Sequence, residues 1–263
     1  MSPALFLKFV EVSFRKEIAY RFDYFVMILN GFIYVFVFTS LWRTVFAAGG
    51  GTFGGFTTKS IISYTVVAMV VRISFSMDDG LIPGRVRDGS VSVDLIRPVS
   101  FQLMNLAQSV GYSAFHLFAR GLPIFVASAW LFGVRVPAEG LPAAIVSLVL
   151  AYLLLFLINF TTSLLAFWFV EIFPFTLLKY GLINLLAGGL LPMDFFPTSV
   201  RPLLSYLPFQ HIFYSPSVIL TGRVAPGNAP VILAEQAAWV AAFAVLSAVM
   251  WRAGRNKLVI QGG

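Results

Sequence analysis

Cysteine is absent from this chain, and charge is scarce. Without a thiol there is no disulfide, no thiolate nucleophile and no Cys-ligated zinc or iron–sulfur centre. The two histidines, His116 and His211, are too few and too isolated to build a metal cage. Charged residues make up 11% of the chain, against about 25% in soluble domains. That is too few to cover a water-exposed globule. Catalytic signatures are missing as well. There is no GxxxxGK[ST] phosphate loop, no HExxH, no GxSxG and no paired-carboxylate constellation. The chain is therefore expected to bind no ATP, metal or other cofactor by itself and to be no enzyme. A Gly-rich run at 49–55 lacks the following Lys-Ser/Thr of a phosphate cradle.

What is abundant is apolar: 59% of the 263 residues are hydrophobic and 28 are phenylalanine. The mean hydropathy of +0.89 points to lipid as the main solvent. A spanning helix needs about 20 mostly apolar residues. Six stretches qualify: Phe25–Phe46, Ile61–Met77, a long one within Leu103–Val134, Leu141–Val170, Phe175–Leu191 and Ala229–Trp251. The expected fold is an all-α integral membrane protein, a single transmembrane domain over residues 1–263. The third stretch is too long for one simple span. Its first part, to about Phe115, is expected at the membrane interface, and a break there would change the span count to five or seven. Residues 3–23 mix apolar and charged side chains with no cleavage signal after them, so the N-terminus reads as a retained interfacial helix rather than a signal peptide.

Basic residues set orientation. With both termini inside, Lys and Arg number twelve on the inner side against five outside, leaving Arg120 uncounted. Both ends and the 78–100 loop are thus expected in the cytoplasm. Such scattered basic clusters argue for lipid contact and against nucleic acid. The Gly/Thr-rich stretch 47–60 reads as a flexible outer connector. Residues 192–228 are apolar but broken by Pro192, Pro197, Pro202, Pro208 and Pro216. Proline breaks helices, so this segment should form short re-entrant helices half-sunk in the outer leaflet, packed on protein.

Charges inside spans are functional candidates. Arg120 either makes an ion pair or anionic contact, or snorkels to the inner headgroups. Glu235 faces either a cavity or the outer interface. Glu171 and Lys179 flank a short inner turn, with Pro174 opening the fifth helix. The loop at 78–100 mixes Asp78, Asp79, Arg85, Arg87, Asp88, Asp94 and Arg97 with Val86, Val91, Val93, Leu95 and Ile96. Apolar residues in an aqueous loop point to docking on another protein.

These pieces resemble a known family. Gly89 followed by Leu95-Ile96-Arg97-Pro98-Val99-Ser100, Gly111 with Arg120-Gly121, Leu191-Pro192-Met193-Asp194-Phe195-Phe196-Pro197, and Leu207-Pro208-Phe209 with Pro216 and Gly222 look like the membrane (permease) subunit of an ABC-2 type exporter. The nearest branch is the one whose permeases often occur as two related subunits with one ATPase. The resemblance implies an ABC ATPase subunit that binds the ATP, and a second permease, identical or related, in a bacterial cytoplasmic membrane. It implies that 78–97 is the coupling element, with Arg85, Val86, Arg87, Asp88, Gly89, Leu95 and Arg97 as its contacts. The 3–23 helix would rest at the gate, and the 192–226 segment would close the pathway outside. One departure is Pro83-Gly84, which interrupts a stretch that the family keeps helical. The rival expectations are a stand-alone secondary transporter or channel, disfavoured by the few charges deep in the spans, and a membrane-embedded enzyme.

Overall fold

The computed structural model describes residues 1–18 and 21–261. Among these residues twelve α-helices and one small hairpin follow one another. Helix α1 is Pro3–Ile18, α2 Arg21–Ala48, α3 Thr58–Ser74, α4 Leu81–Arg87, α5 Val91–Ile96 and α6 Phe101–His116. Helix α7 is Leu122–Phe132, α8 Leu141–Leu164, α9 Phe173–Leu186, α10 Arg201–Ser205, α11 Gln210–Leu220 and α12 Ala229–Gln261. The interfacial helix expected over 3–23 ends at Ile18. Residues 19 and 20 lie outside the described residues, and Arg21 already belongs to α2.

Among the described residues, four helical stretches are long and apolar enough to cross a bilayer: Phe25–Ala48, Phe101–Phe132, Ala138–Phe167 and Pro226–Lys257. They coincide with the first, third, fourth and sixth expected spans. Helices α3 and α9 correspond to the second and fifth. Helix α9 stops at Leu186, five residues before the expected end at Leu191. The reason is local. Gly188 turns the chain at φ 79°, the Ala187 carbonyl accepts from the Tyr214 N–H at 2.8 Å, and the Gly188 carbonyl accepts from the Tyr64 hydroxyl at 2.6 Å. A Cβ on Gly188 would meet Tyr214 Cβ at 2.5 Å. At about 1.5 Å per residue, the 14 residues of α9 fall short of a hydrocarbon core of about 30 Å.

The third stretch does not break. Helices α6 and α7 join through a π-helical turn, Leu117–Gly121, so residues 101–132 form one rod. The two glycines of this rod are sites of close helix approach. A Cβ on Gly111 would meet the Val10 carbonyl at 2.3 Å, where α1 lies along α6. A Cβ on Gly121 would meet the Ser74 hydroxyl at 2.3 Å, at the end of α3. Ser13 donates to the Gln108 carbonyl at 2.7 Å, and the Phe14 and Phe115 rings meet edge-on at 5.7 Å.

Helix α8 is the central strut, packed on α12 and α11. Val67 and Val71 of α3, Leu154 and Ile158 of α8, Ile183 of α9 and Ile212 of α11 form one apolar cluster. The opposite faces of several helices stay bare. On α2, Phe25, Val26, Leu29, Ile33, Phe36 and Val37 are exposed, as expected of a helix turned to lipid.

Residues 52–57 differ from the flexible connector expected there. They form an antiparallel hairpin, Thr52–Phe53 with Phe56–Thr57. Gly54 and Gly55 turn it at φ 56° and 75°, the positive-φ pair that a tight hairpin demands. The hairpin leads directly into α3, whose start is closed by a reciprocal Thr57–Ser60 capping box.

Candidate functional site

The polar loop between α3 and α6 is tied to the helices by three anchors. The first is Asp79. Its carboxylate receives Lys179 Nζ of α9 at 2.7 Å and the hydroxyl of Tyr180. Lys179 is 6% exposed and Asp79 13%, so this ion pair is largely out of water. The expected turn with Pro174 opening α9 is present, and Glu171 caps it by accepting from the Phe173 N–H at 2.9 Å. Lys179 is not part of that turn. It is the buried partner of a carboxylate 100 residues away.

The second anchor is α4. It runs straight through Pro83-Gly84. Pro83 sits in the first turn, where backbone N–H groups have no intrahelical acceptor and proline loses nothing. Ile82 and Pro83 are buried. The expected interruption of this helix is therefore absent. Val86 is half-buried against the cluster of Phe101, Phe156, Phe160 and Phe167.

The third anchor is Asp94 of α5, 6% exposed. Arg85 Nη1 reaches one of its oxygens at 2.8 Å and Arg97 Nη1 the other at 3.2 Å. Arg85 also donates to the Gln108 side chain of α6 at 3.4 Å. Between α4 and α5, Gly89 turns the chain at φ 76°. The Ser90 N–H donates to Asp88 at 2.9 Å, and the Ser90 hydrogen bonds hold the Asp88 carboxyl below the usual range. Arg87, Asp88, Gly89 and Arg97 face solvent.

The sequence marks Val86 and Leu95 as docking anchors. Both are half-buried. The apolar side chains left bare are Val93, 55% exposed, and Ile96, 84% exposed. Helix α5 is too short for periodicity to separate its faces. Only the tertiary fold shows that Val91 points inward and Val93 and Ile96 outward.

The two intramembrane candidates do not meet. The Glu235 side chain is 55% exposed, and its Oε2 lies 3.9 Å from Nε2 of the buried His211. The neighbour, Gln236, is fully buried. It receives the Ser147 hydroxyl at 2.9 Å and donates to the His211 carbonyl at 2.9 Å. That link ties α12 to α8 and α11. Adjacent helical residues point about 100° apart, so only one of this polar pair can face the bundle. Arg120 lies in the π-helical turn and lines a cavity with Arg72. Among the described residues no group of three or more His, Asp or Glu could hold a metal ion.

At the other end of the molecule, the proline-rich segment is fully folded onto protein. Phe195 packs edge-on against Trp42, Phe53 and Phe56 with centroids 5.0–5.5 Å apart. Arg223 lies 3.4 Å over the Phe56 ring and donates to the Gly55 carbonyl. Arg201 donates to the Asp194 and Phe196 carbonyls at 2.6 and 3.1 Å, and Tyr214 donates to the Asp194 carboxylate at 2.9 Å.

No curated protein and no solved structure matches the chain significantly. A family model does. The model described as an ABC-2 family transporter protein matches residues 28–262, which take in most of α2, every later helix, the 78–100 loop and the proline-rich segment. The chain thus belongs to the ABC-2 transporter family, as a multi-pass membrane permease of an ABC exporter.

Proposed function

We propose that this permease forms half of a translocation pathway with a second permease, identical or related, and is driven by a separate ABC ATPase docked on α4 and α5. The observation that carries the reading is the exposed pair Val93 and Ile96 on a loop pinned at Asp79, α4 and Asp94. A bare isoleucine beside Arg87, Asp88 and Arg97 has the makeup of an interface, with an apolar anchor at the centre and charges at the rim. The anchors matter as much as the bare tips. A push on α5 passes through Arg85 to α6 and through Asp79 to α9, so the loop can transmit force rather than yield. Helix α1, lying along α6, would rest at the gate. The 192–228 segment would close the pathway outside. Both termini would be cytoplasmic, in a bacterial inner membrane.

Topology and coupling are tested together. The chain has no native cysteine, so single Cys variants can be labelled without background. Cys at Ser90 should be shielded from an impermeant thiol reagent in intact cells, while Cys at Thr52 or Ser199, both exposed, should react. The intact chain should co-purify with an ATPase and a second permease, and Ile96→Asp should abolish ATPase pull-down without lowering expression. Labelling of Ser90→Cys from outside, or full ATPase binding by the Ile96→Asp variant, would sink the proposal.

A further inference from the structure

A cavity of about 360 Å³ opens between α2, α3 and the π-helical turn. Two guanidinium groups, Arg72 and Arg120, line it together with Tyr34, Asn30 and Ser76, and among the described residues no carboxylate does. Arg72 is held in place, donating to the Tyr34 hydroxyl at 3.2 Å and to the Asn184 side chain at 2.8 Å. Arg120 is not. No ion pair or hydrogen bond joins it to any described residue, and its Nε is buried without a partner. Among the described residues Asn30 also has no hydrogen-bond partner, although it sits exposed on a largely apolar face of α2. A cation half-buried in a helix bundle without an anion is strongly destabilising, and so is a bare amide facing lipid. Both converge on one cavity. The π-helical turn is what aims Arg120 there, since such turns shift the following residues around the helix. Close contact of Gly121 with Ser74 keeps that turn against the end of α3.

We infer that this cavity binds an anionic group, a phosphate or carboxylate held in the fork of Arg72 and Arg120, with Asn30 donating from the rim. The rim residues Met27 and Ile73 are apolar, which suits an amphiphile whose headgroup enters and whose chains run along α2. This site stands apart from the exporter reading, and its test needs no ATPase.

The purified chain in neutral detergent is titrated separately with phosphatidylglycerol, phosphatidylcholine and inorganic phosphate. Bound lipid is counted by native mass spectrometry and stability is followed by thermal unfolding. One phosphatidylglycerol per chain should be retained and should raise the unfolding temperature, while phosphatidylcholine should do neither. Arg120→Gln should weaken phosphatidylglycerol binding at least tenfold. Because Arg120 bonds to no described residue, the same variant should unfold no earlier than the parent when lipid is absent. Arg72→Gln should weaken binding as well. Arg120→Lys should fall between, because a point charge cannot reproduce a bidentate fork. Arg43, stacked on Phe132 instead, is the control, and Arg43→Gln should change nothing. Displacement of the lipid by phosphate would assign the site to the anion alone, and failure of phosphate to compete would assign it to an amphiphile. Either supports an anion site. Equal binding of both lipids, or equal binding by Arg120→Gln and the parent, would overturn it.

Discussion

The two ends of this molecule are made polar in opposite ways. At the cap, 192–228 with the 52–57 hairpin, the arginines are engaged locally: Arg201 on the carbonyls of Asp194 and Phe196, and Arg223 on Phe56 and the Gly55 carbonyl. Phe195 fills the space between the hairpin and α2. At the loop end, Asp79 is paired with Lys179 and Asp94 with Arg85 and Arg97, both largely out of water, while Arg87, Asp88, Val93 and Ile96 are left bare. A surface that turns its cations onto its own carbonyls and rings offers little to a partner. One that pins its base and leaves its tip unsatisfied is a place for a partner. If the contrast holds, variants at the cap should cost stability alone, whereas those at the loop should divide into base residues that cost stability and tip residues that cost binding.

The largest effect is expected at the base of the loop. Lys179→Met leaves Asp79 as a buried charge with only Tyr180 beside it, which should cost about 3–5 kcal/mol. The readout is thermal unfolding in detergent. Removing both charges with Lys179→Met and Asp79→Leu together should recover most of the loss, because the charge left unpaired, rather than the missing attraction, dominates the penalty. A double variant as unstable as the single one would mean that the pair holds the loop by geometry instead.

At the cap the comparable change is Phe195→Ala. Phe195 touches Trp42, Phe46, Phe53 and Phe56, and its loss should cost about 3 kcal/mol through the void left behind. ATPase pull-down should be unchanged once expression is matched. A cap variant that folds normally but loses the ATPase would break the distinction between the two ends.

Much of this architecture was legible in the chain itself. Apolar runs of spanning length mark four of the six expected spans, the third only as a stretch too long to assign, and the prolines of 192–228 mark the short helices except Pro216, which α11 accommodates within its length. The remainder depends on contacts distant in sequence. Helix α9 is cut short because Tyr214 and Tyr64 claim the Ala187 and Gly188 carbonyls, and neither tyrosine is near them in the chain. The glycines of the 47–60 stretch read as flexibility until Phe195 packs within 2.7 Å of where a Gly54 Cβ would be. Lys179 looked like a residue of an inner turn because its partner Asp79 is 100 residues away. Within the candidate site, the 78–100 segment is legible from composition as a mixture of charged and apolar side chains. Its inward and outward faces could not be assigned from helices of seven and six residues, which are too short for a period to declare itself.

The tip provides the next test. Ile96→Asp should leave stability within about 0.5 kcal/mol, as surface changes usually do, yet lower ATPase affinity by about 2 kcal/mol if Ile96 is a central anchor. Val86→Asp should behave in the reverse sense. It puts a charge against an apolar, aromatic cluster, so folded yield should fall before any question of docking arises. Equal ATPase binding by both variants at matched yield would move the docking surface away from α5.

The finest comparison lies within one ion triad. Asp94 is shared by two arginines that differ in exposure: the Arg85 side chain is 22% exposed and that of Arg97 48%. A water-exposed pair is screened and contributes little, so Arg97→Gln should cost under about 1 kcal/mol. Arg85 is deeper and also reaches Gln108. Its loss strips a buried carboxylate of its better partner and unhooks α5 from α6, which should cost on the order of 1–2 kcal/mol. The functional consequences should rank the other way. Arg97 is solvent-facing beside Ile96, so its loss should weaken ATPase binding and flatten the salt dependence of association. Arg85→Gln should leave the rim intact and instead lower transport-linked ATP turnover at saturating ATPase, because the push on α5 no longer reaches α6. Thermal unfolding, pull-down at two salt concentrations and turnover in liposomes separate the two residues. If Arg85→Gln weakens docking while turnover at saturation is normal, Arg85 belongs to the contact surface and force must enter the membrane through Asp79 and α9.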